Sequence, residues 1–277
     1  QPADRFTIRD ENAFAPAPDF VKIRFNTPDS GSMHFQALLL LQKIMGFHLN
    51  DMTPDALVDA DLIRLDFVNR MGIFNNKATL YEESLRSMEK SLDRNPLAAE
   101  AMYLRASLYA TKGKNYNPHN NNSPQFELNR ARELCESAVH SFPGSDGALH
   151  AGQLLNELKR PHLQLSSELV NIPDQPFRSL VSYRNLNRIY LKLISVNHEE
   201  MKAIDKKTTS ELWRSLAEKK ALRNWSVNLP DLQDLQEHSA ELKTDALPPG
   251  MYVLMASKHE DFGLKDNIMA RQLLYVS

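Results

Sequence analysis

The chain has a single cysteine, Cys135, in 277 residues. No disulfide within it is possible, and a disulfide-stapled scaffold is excluded. Long apolar runs are missing as well. A run such as Ala37–Leu41 falls far short of the roughly 20 residues that a membrane-spanning helix needs. Neither sign of charge is in excess: 33 basic and 35 acidic residues are interspersed and leave a net charge of −2. That balance creates no phosphate-binding field, so nucleic acid is not an expected partner. Glycine is scarce, with nine residues that lie mostly at expected turns. There is no glycine-rich phosphate loop and no nucleophile elbow. Residue 1 starts neither a basic stretch nor an apolar core, so no signal peptide is visible.

What is present changes character near Pro161. Before it, apolar residues recur at helical spacing; after it, short runs of Val, Ile, Leu and Tyr alternate with polar residues. The length fits about two domains. Residues 1–32 are Pro-rich and read as an extended lead-in with a short helix around Asp19–Phe25. The periodicity then predicts six helices. The first starts at the Ser32 cap, with an apolar face of Phe35, Leu38, Leu39, Ile44 and Met45. The second covers Pro54 to Met71, and the rest run over Lys77–Asp93, Leu97–Lys112, Phe126–Ser141 and Asp146–Lys159.

Two of these helices repeat one another. Ser84, Met88, Ser91 and Pro96 have the mutual spacing of Ala131, Cys135, Ala138 and Pro143. Small residues at the first and third places let a neighbouring helix approach, and the proline ends the helix. These spacings resemble the second helix of a tetratricopeptide repeat, with Ala106 and Tyr109 suiting its first. However, 47 residues separate Pro96 from Pro143, against about 34 in that repeat. The Asn-rich loop Gly113–Gln125 accounts for the excess. The expectation for 33–160 is therefore a TPR-like array of helical hairpins, with an irregular bundle as the alternative.

From Leu163 the period becomes two. Strands are expected at Leu163–Leu169, Phe177–Arg184, Arg188–Val196, Ala221–Leu229, His238–Asp245, Met251–Ser257 and Ile268–Val276. A hairpin-like turn is expected at Asn185-Leu186-Asn187, and a charged, helix-compatible insertion near 197–220. In the third strand Ile189, Leu191 and Leu193 point one way, Tyr190 and Lys192 the other. Seven short strands suggest an immunoglobulin-like sandwich over 163–277. Only Arg160-Pro161-His162 separates it from the last helix, which is short for a flexible linker.

Few residues suggest chemistry. His140, His150 and His162 lack a partner at metal-ligand spacing, and His198-Glu199-Glu200 lacks the second histidine of a zinc-protease helix. Cys135 lies on the apolar face of a helix, where a thiol packs as a small hydrophobe. Asn121-Asn122-Ser123 and Asn224-Trp225-Ser226 match the glycosylation pattern by chance composition. Tyr183, Tyr190 and Trp225 form a candidate contact patch, with core or cross-strand packing as the alternative. No catalytic residue, cofactor or metal ligand is expected.

Some segments carry a family resemblance. Gln175-Pro176-Phe177-Arg178, Tyr183-Arg184-Asn185 and Ile189-Tyr190-Leu191-Lys192 resemble the first macroglobulin-type domain of bacterial α2-macroglobulin-like proteins, particularly those of Bacteroidetes. Leu247-Pro248-Pro249-Gly250-Met251-Tyr252-Val253-Leu254 is similar to that family's L-x-P-G-x-Y-x-L strand, and Phe47–Asp51 with Pro54–Leu57 resembles its preceding helical region. The resemblance implies a segment of a longer exported protein, periplasmic or outer-membrane-associated, whose signal or anchor lies outside these residues. Its partners would be other domains of the same long chain, proteases or an envelope protein. Cys135 is followed by Glu136-Ser137-Ala138, so the family's Cys-x-x-Gln thioester motif is absent. Two other readings remain: a TPR-like peptide- or protein-binding module with an accessory sandwich, marked by an exposed apolar groove on the helices, and an accessory domain of a carbohydrate-processing enzyme, marked by a stripe of exposed Trp and Tyr.

Overall fold

The apolar periodicity of the first 158 residues becomes helix almost where the spacing predicts. The computed structural model describes residues 5–120 and 124–277, and the chain divides into two units, Gln1–Leu158 and Lys159–Ser277. The first contains α1 (Ala17–Phe20), α2 (Met33–His48), α3 (Asp55–Met71), α4 (Lys77–Leu92), α5 (Ala98–Gly113), α6 (Glu127–Ser141) and α7 (Asp146–Lys159). Helix α2 packs on α3, α4 on α5, and α5 on α6. Asn121-Asn122-Ser123 lies outside the described residues.

Three local expectations are corrected. The short helix starts earlier than Asp19 because Pro16 and Pro18 sit at its first positions, where a missing N–H costs nothing. The lead-in is also no loose extension: Ile8, Ala13, Phe14, Ala17 and Phe20 are buried in the helical core. On α2 the buried face is Leu38, Leu41 and Met45, while Ile44 is exposed. That helix is apolar nearly all round, so its periodicity does not select a face.

The repeated spacing is read differently by its two copies. On α6, Ala131, Cys135 and Ala138 are fully buried, and α6 packs against α5. At the mouth of that pair the added Cβ of an alanine at Gly113 would stand 2.5 Å from the Leu128 side chain. On α4, Ser84 turns instead to the lead-in, bonded to the carbonyls of Phe14 (2.9 Å) and Leu80 (2.8 Å).

The second unit is a sandwich of two sheets. Its strands are β1 (His162–Ser167), β2 (Val170–Asn171), β3 (Phe177–Arg184), β4 (Arg188–Val196), β5 (Arg223–Asn228), β6 (His238–Thr244), β7 (Gly250–Ser257) and β8 (Met269–Val276). One sheet has the order β1-β3-β6, the other β2-β8-β7-β4-β5. All pairs are antiparallel except β2 with β8. Leu163, Leu165, Val181 and Tyr183 from the first sheet meet Ile189, Leu191, Leu193, Leu254 and Leu274 from the second.

The turn at Asn185-Leu186-Asn187 closes no hairpin. Strand β3 pairs with β1 and β6, and β4 with β5 and β7, so these three residues carry the chain from one sheet to the other. Asn185 takes the left-handed conformation at φ 55°, which Asn tolerates, and Leu186 drops into the inter-sheet core. The first expected strand likewise splits: β1 stays with one sheet and β2 joins the other.

The insertion forms two helices, α8 (His198–Ile204) and α9 (Thr209–Glu218), each opened by a capping box, Asn197 with Glu200 and Thr208 with Glu211. Met201, Ile204 and Leu216 cover Ile194, Val196, Val253 and Met255 on the outer face of the five-stranded sheet. Strands β4 and β7 are therefore buried on both faces.

Candidate functional site

A well-defined cleft of the helical unit lies where the lead-in crosses the helices. A 3-10 turn at Glu11–Phe14 and α1 form one wall, the start of α3 and one face of α4 the others; the cavity measures about 650 Å³. Phe14, Leu57, Val58, Leu80, Met88 and Leu92 supply apolar lining, Ser84, Ser87 and Ser91 a row of hydroxyls, and Glu11 and Glu83 carboxylates.

The floor is an ion pair. Arg64 is 1% exposed and Asp61 8%. The guanidinium donates to Asp61 Oδ1 through Nε at 2.7 Å and to the Ala13 carbonyl at 2.5 Å, and lies 4.7 Å over the Phe20 ring. Burial pushes the Asp61 carboxyl up from its ordinary range, and the adjacent guanidinium pulls it part of the way back. The pair ties α3 to the lead-in and so shapes the cleft. Periodicity missed it, because two charges inside an apolar stripe look like solvent-facing residues.

No histidine lines this cleft, and the Ser84 hydroxyl is engaged by backbone carbonyls. The apolar side chains and the row of hydroxyls suit binding of an apolar or amphipathic segment.

The contact patch Tyr183, Tyr190 and Trp225 is not assembled. Tyr183 is buried in the inter-sheet core, its hydroxyl donating to the Pro230 carbonyl at 2.8 Å. Trp225 stands opposite Leu191 and packs toward that same core. Tyr190 faces the other way, among the side chains under α8 and α9. Tyr190 and Trp225 both border a smaller cleft of about 410 Å³, with Arg188, Lys192, Glu260 and Asp261. Lys192 is nearly buried and donates to the Ala217 carbonyl at 2.5 Å; burial lowers its pKa. No stripe of exposed aromatics runs along either sheet among the described residues.

Cys135 is fully buried, and burial, helped by Glu136, pushes its thiol up to about 11. A thiol in that setting is protonated and unreactive at neutral pH. His150 pairs with Glu100 at 3.0 Å and His162 with Glu237 at 3.8 Å. Among the described residues no three His, Cys, Asp or Glu side chains group as metal ligands, and no helix is long and apolar enough to cross a membrane.

No family model and no curated protein matches the chain. A solved structure, the CARDB domain of the PF1109 protein from Pyrococcus furiosus in complex with di-metal ions, covers 42% of this chain and 92% of its own, with 13% identity and a TM-score of 0.25. The two-sheet sandwich rests on this chain's own strand pairing.

Proposed function

We propose that this chain is a non-catalytic structural and interaction segment of a bacterial α2-macroglobulin-like protease inhibitor. It holds downstream protease-trapping domains at a set distance and orientation. In this reading the sandwich is immunoglobulin-like and macroglobulin-type, and the helical unit is a TPR-like array.

The observation that carries the reading is the corner at Pro248. Leu247-Pro248-Pro249-Gly250-Met251-Tyr252, the segment on which the family resemblance rests, turns into β7, and the Tyr252 hydroxyl donates back to the Pro248 carbonyl at 2.9 Å. A tyrosine at the start of this strand, bonded to backbone a few residues upstream, is a corner device of immunoglobulin-like sandwiches. The strand order supports the same assignment.

The test uses the full gene product and the 277-residue segment side by side, each mixed with trypsin-like and elastase-like proteases. The full product should inhibit, while the segment alone should neither hydrolyse peptides nor form an adduct that survives denaturation. An adduct on the segment that disappears with Cys135→Ser would overturn the reading, as would a full product without effect on any protease.

A second reading, a peptide- or protein-binding helical module, is favoured by the cleft over Asp61 and Arg64. Loss of peptide capture on Leu57→Glu, with the helical signal unchanged, would support it.

A further inference from the structure

Helix α2 is apolar on two faces. Leu38, Leu41 and Met45 are in the core. The other face carries Met33, Ala37, Leu40, Ile44 and Phe47, of which Met33 is 86% exposed, Leu40 58%, Ile44 38% and Phe47 79%. A surface helix ordinarily turns polar residues to that side. Single exposed apolar residues need no explanation, but these are in register. Their successive spacings are four, three, four and three residues, the a/d pattern of a helix that packs knobs into holes against another helix. The row runs the whole helix, about 24 Å.

The flanks of the row say what chemistry would cover it. His34 stacks edge-on against Phe67, Gln36 donates to the Ser30 carbonyl, and His48 is bonded to Asp51. Lys43 is exposed and has no such partner among the described residues, and it is the only Lys, Arg, Asp or Glu in α2.

We propose that this face is a docking seam for an α-helix of a partner protein or domain. That helix would carry its own apolar row at three-four spacing and a carboxylate beside it, opposite Lys43. A second copy of this chain fits worse. It would bring no carboxylate from α2 to meet Lys43. A lipid surface selects helices rimmed by several Lys and Arg, and α2 has one.

The test uses the 277-residue chain labelled at methionine methyls and two synthetic three-heptad peptides. Both have Ile at a and Leu at d; one has Glu at the flanking e and g positions, the other Lys. The Glu peptide should shift the Met33 methyl and bind at least about tenfold more tightly than the Lys peptide. Leu40→Glu with Phe47→Glu should abolish binding, and Lys43→Glu should reverse the preference; all three positions are exposed, and far-UV circular dichroism checks the fold. Equal binding of the two peptides, or binding that survives Leu40→Glu with Phe47→Glu, would overturn the proposal. So would self-association lost on Leu40→Glu, which would assign the seam to a second copy. Met33 shifts with phosphatidylglycerol vesicles but with neither peptide would assign it to a lipid surface.

Discussion

At the scale of single residues, the helical unit depends on charges placed where apolar side chains were expected. Arg64→Ala would leave Asp61 buried with no counter-charge and the Ala13 carbonyl without its donor, and should destabilise the helical unit by about 3–5 kcal/mol. Arg64→Met combined with Asp61→Leu should recover most of that loss, because both desolvation penalties disappear together. Urea unfolding followed at 222 nm distinguishes the two outcomes. Glu82 makes a pH prediction. Burial alone would raise its pKa, but hydrogen bonds from Tyr109 and Arg86 outweigh it and hold the carboxyl below its ordinary value. A depressed carboxylate contributes stability above its unfolded pKa and loses it as pH falls through the folded one. Tyr109→Phe should therefore flatten the acid limb of the stability profile below about pH 4.5. Cys135 acts at the other end of the scale. Its folded pKa is raised, so its contribution is complete below the ordinary thiol value and is lost as pH rises toward about 11. Cys135→Ala should lack that alkaline loss. None of these pairings could be read from spacing, because a buried ion pair and a solvated one have the same sequence pattern.

At the scale of elements, close approaches decide which helices can meet. A Cβ on Gly147 would stand 2.2 Å from the Glu100 backbone nitrogen and 2.4 Å from the Ala99 carbonyl carbon. Backbone cannot rotate aside as a side chain can, so Gly147→Ala should cost about 3 kcal/mol or more and lift the start of α7 off α5. Apart from the lead-in helix, which ends at Phe20 instead of Phe25, the helix and strand boundaries were legible to within a residue or two because caps, prolines and period are local signals. The sheet change at Asn185–Asn187 was not. A three-residue turn with Asn in a left-handed conformation looks the same whether the next strand returns to its own sheet or crosses to the facing one. Likewise, the alternation Ile189, Leu191, Leu193 identified the inner face of β4, but Ile194 and Val196 on the outer side only make sense once α8 and α9 cover them. Leu216, fully buried in that cover, is its keystone. Leu216→Ala should cost about 2–4 kcal/mol and increase binding of an apolar dye to the sheet's outer face.

At the scale of the whole molecule, the chain divides into two units at Lys159, close to the change of period near Pro161. Each unit has its own core, and both tryptophans of the chain, Trp213 and Trp225, belong to the sandwich. Tryptophan fluorescence thus reports the sandwich, whereas the signal at 222 nm is dominated by α2 to α7. In Gly147→Ala the two probes should no longer coincide: the helical transition should move to lower urea while the fluorescence transition stays in place. A single shared shift would instead mean that the two cores unfold as one cooperative system.

The parallel pairing of β2 with β8 has a mechanical consequence. Leu169 and Asn171 accept hydrogen bonds from the backbone N–H groups of Tyr275 (2.9 Å) and Ser277 (3.2 Å). Tension applied between Lys159 and Ser277 would pull these two parallel strands past each other along their length. The bonds would then share the load in shear instead of opening one after another like a zipper. Once β1 is drawn off, the load reaches this pair, so the sandwich should behave as a stiff link when stretched by pulling at its ends, and Tyr275→Pro, which deletes one of the donors, should lower its rupture force.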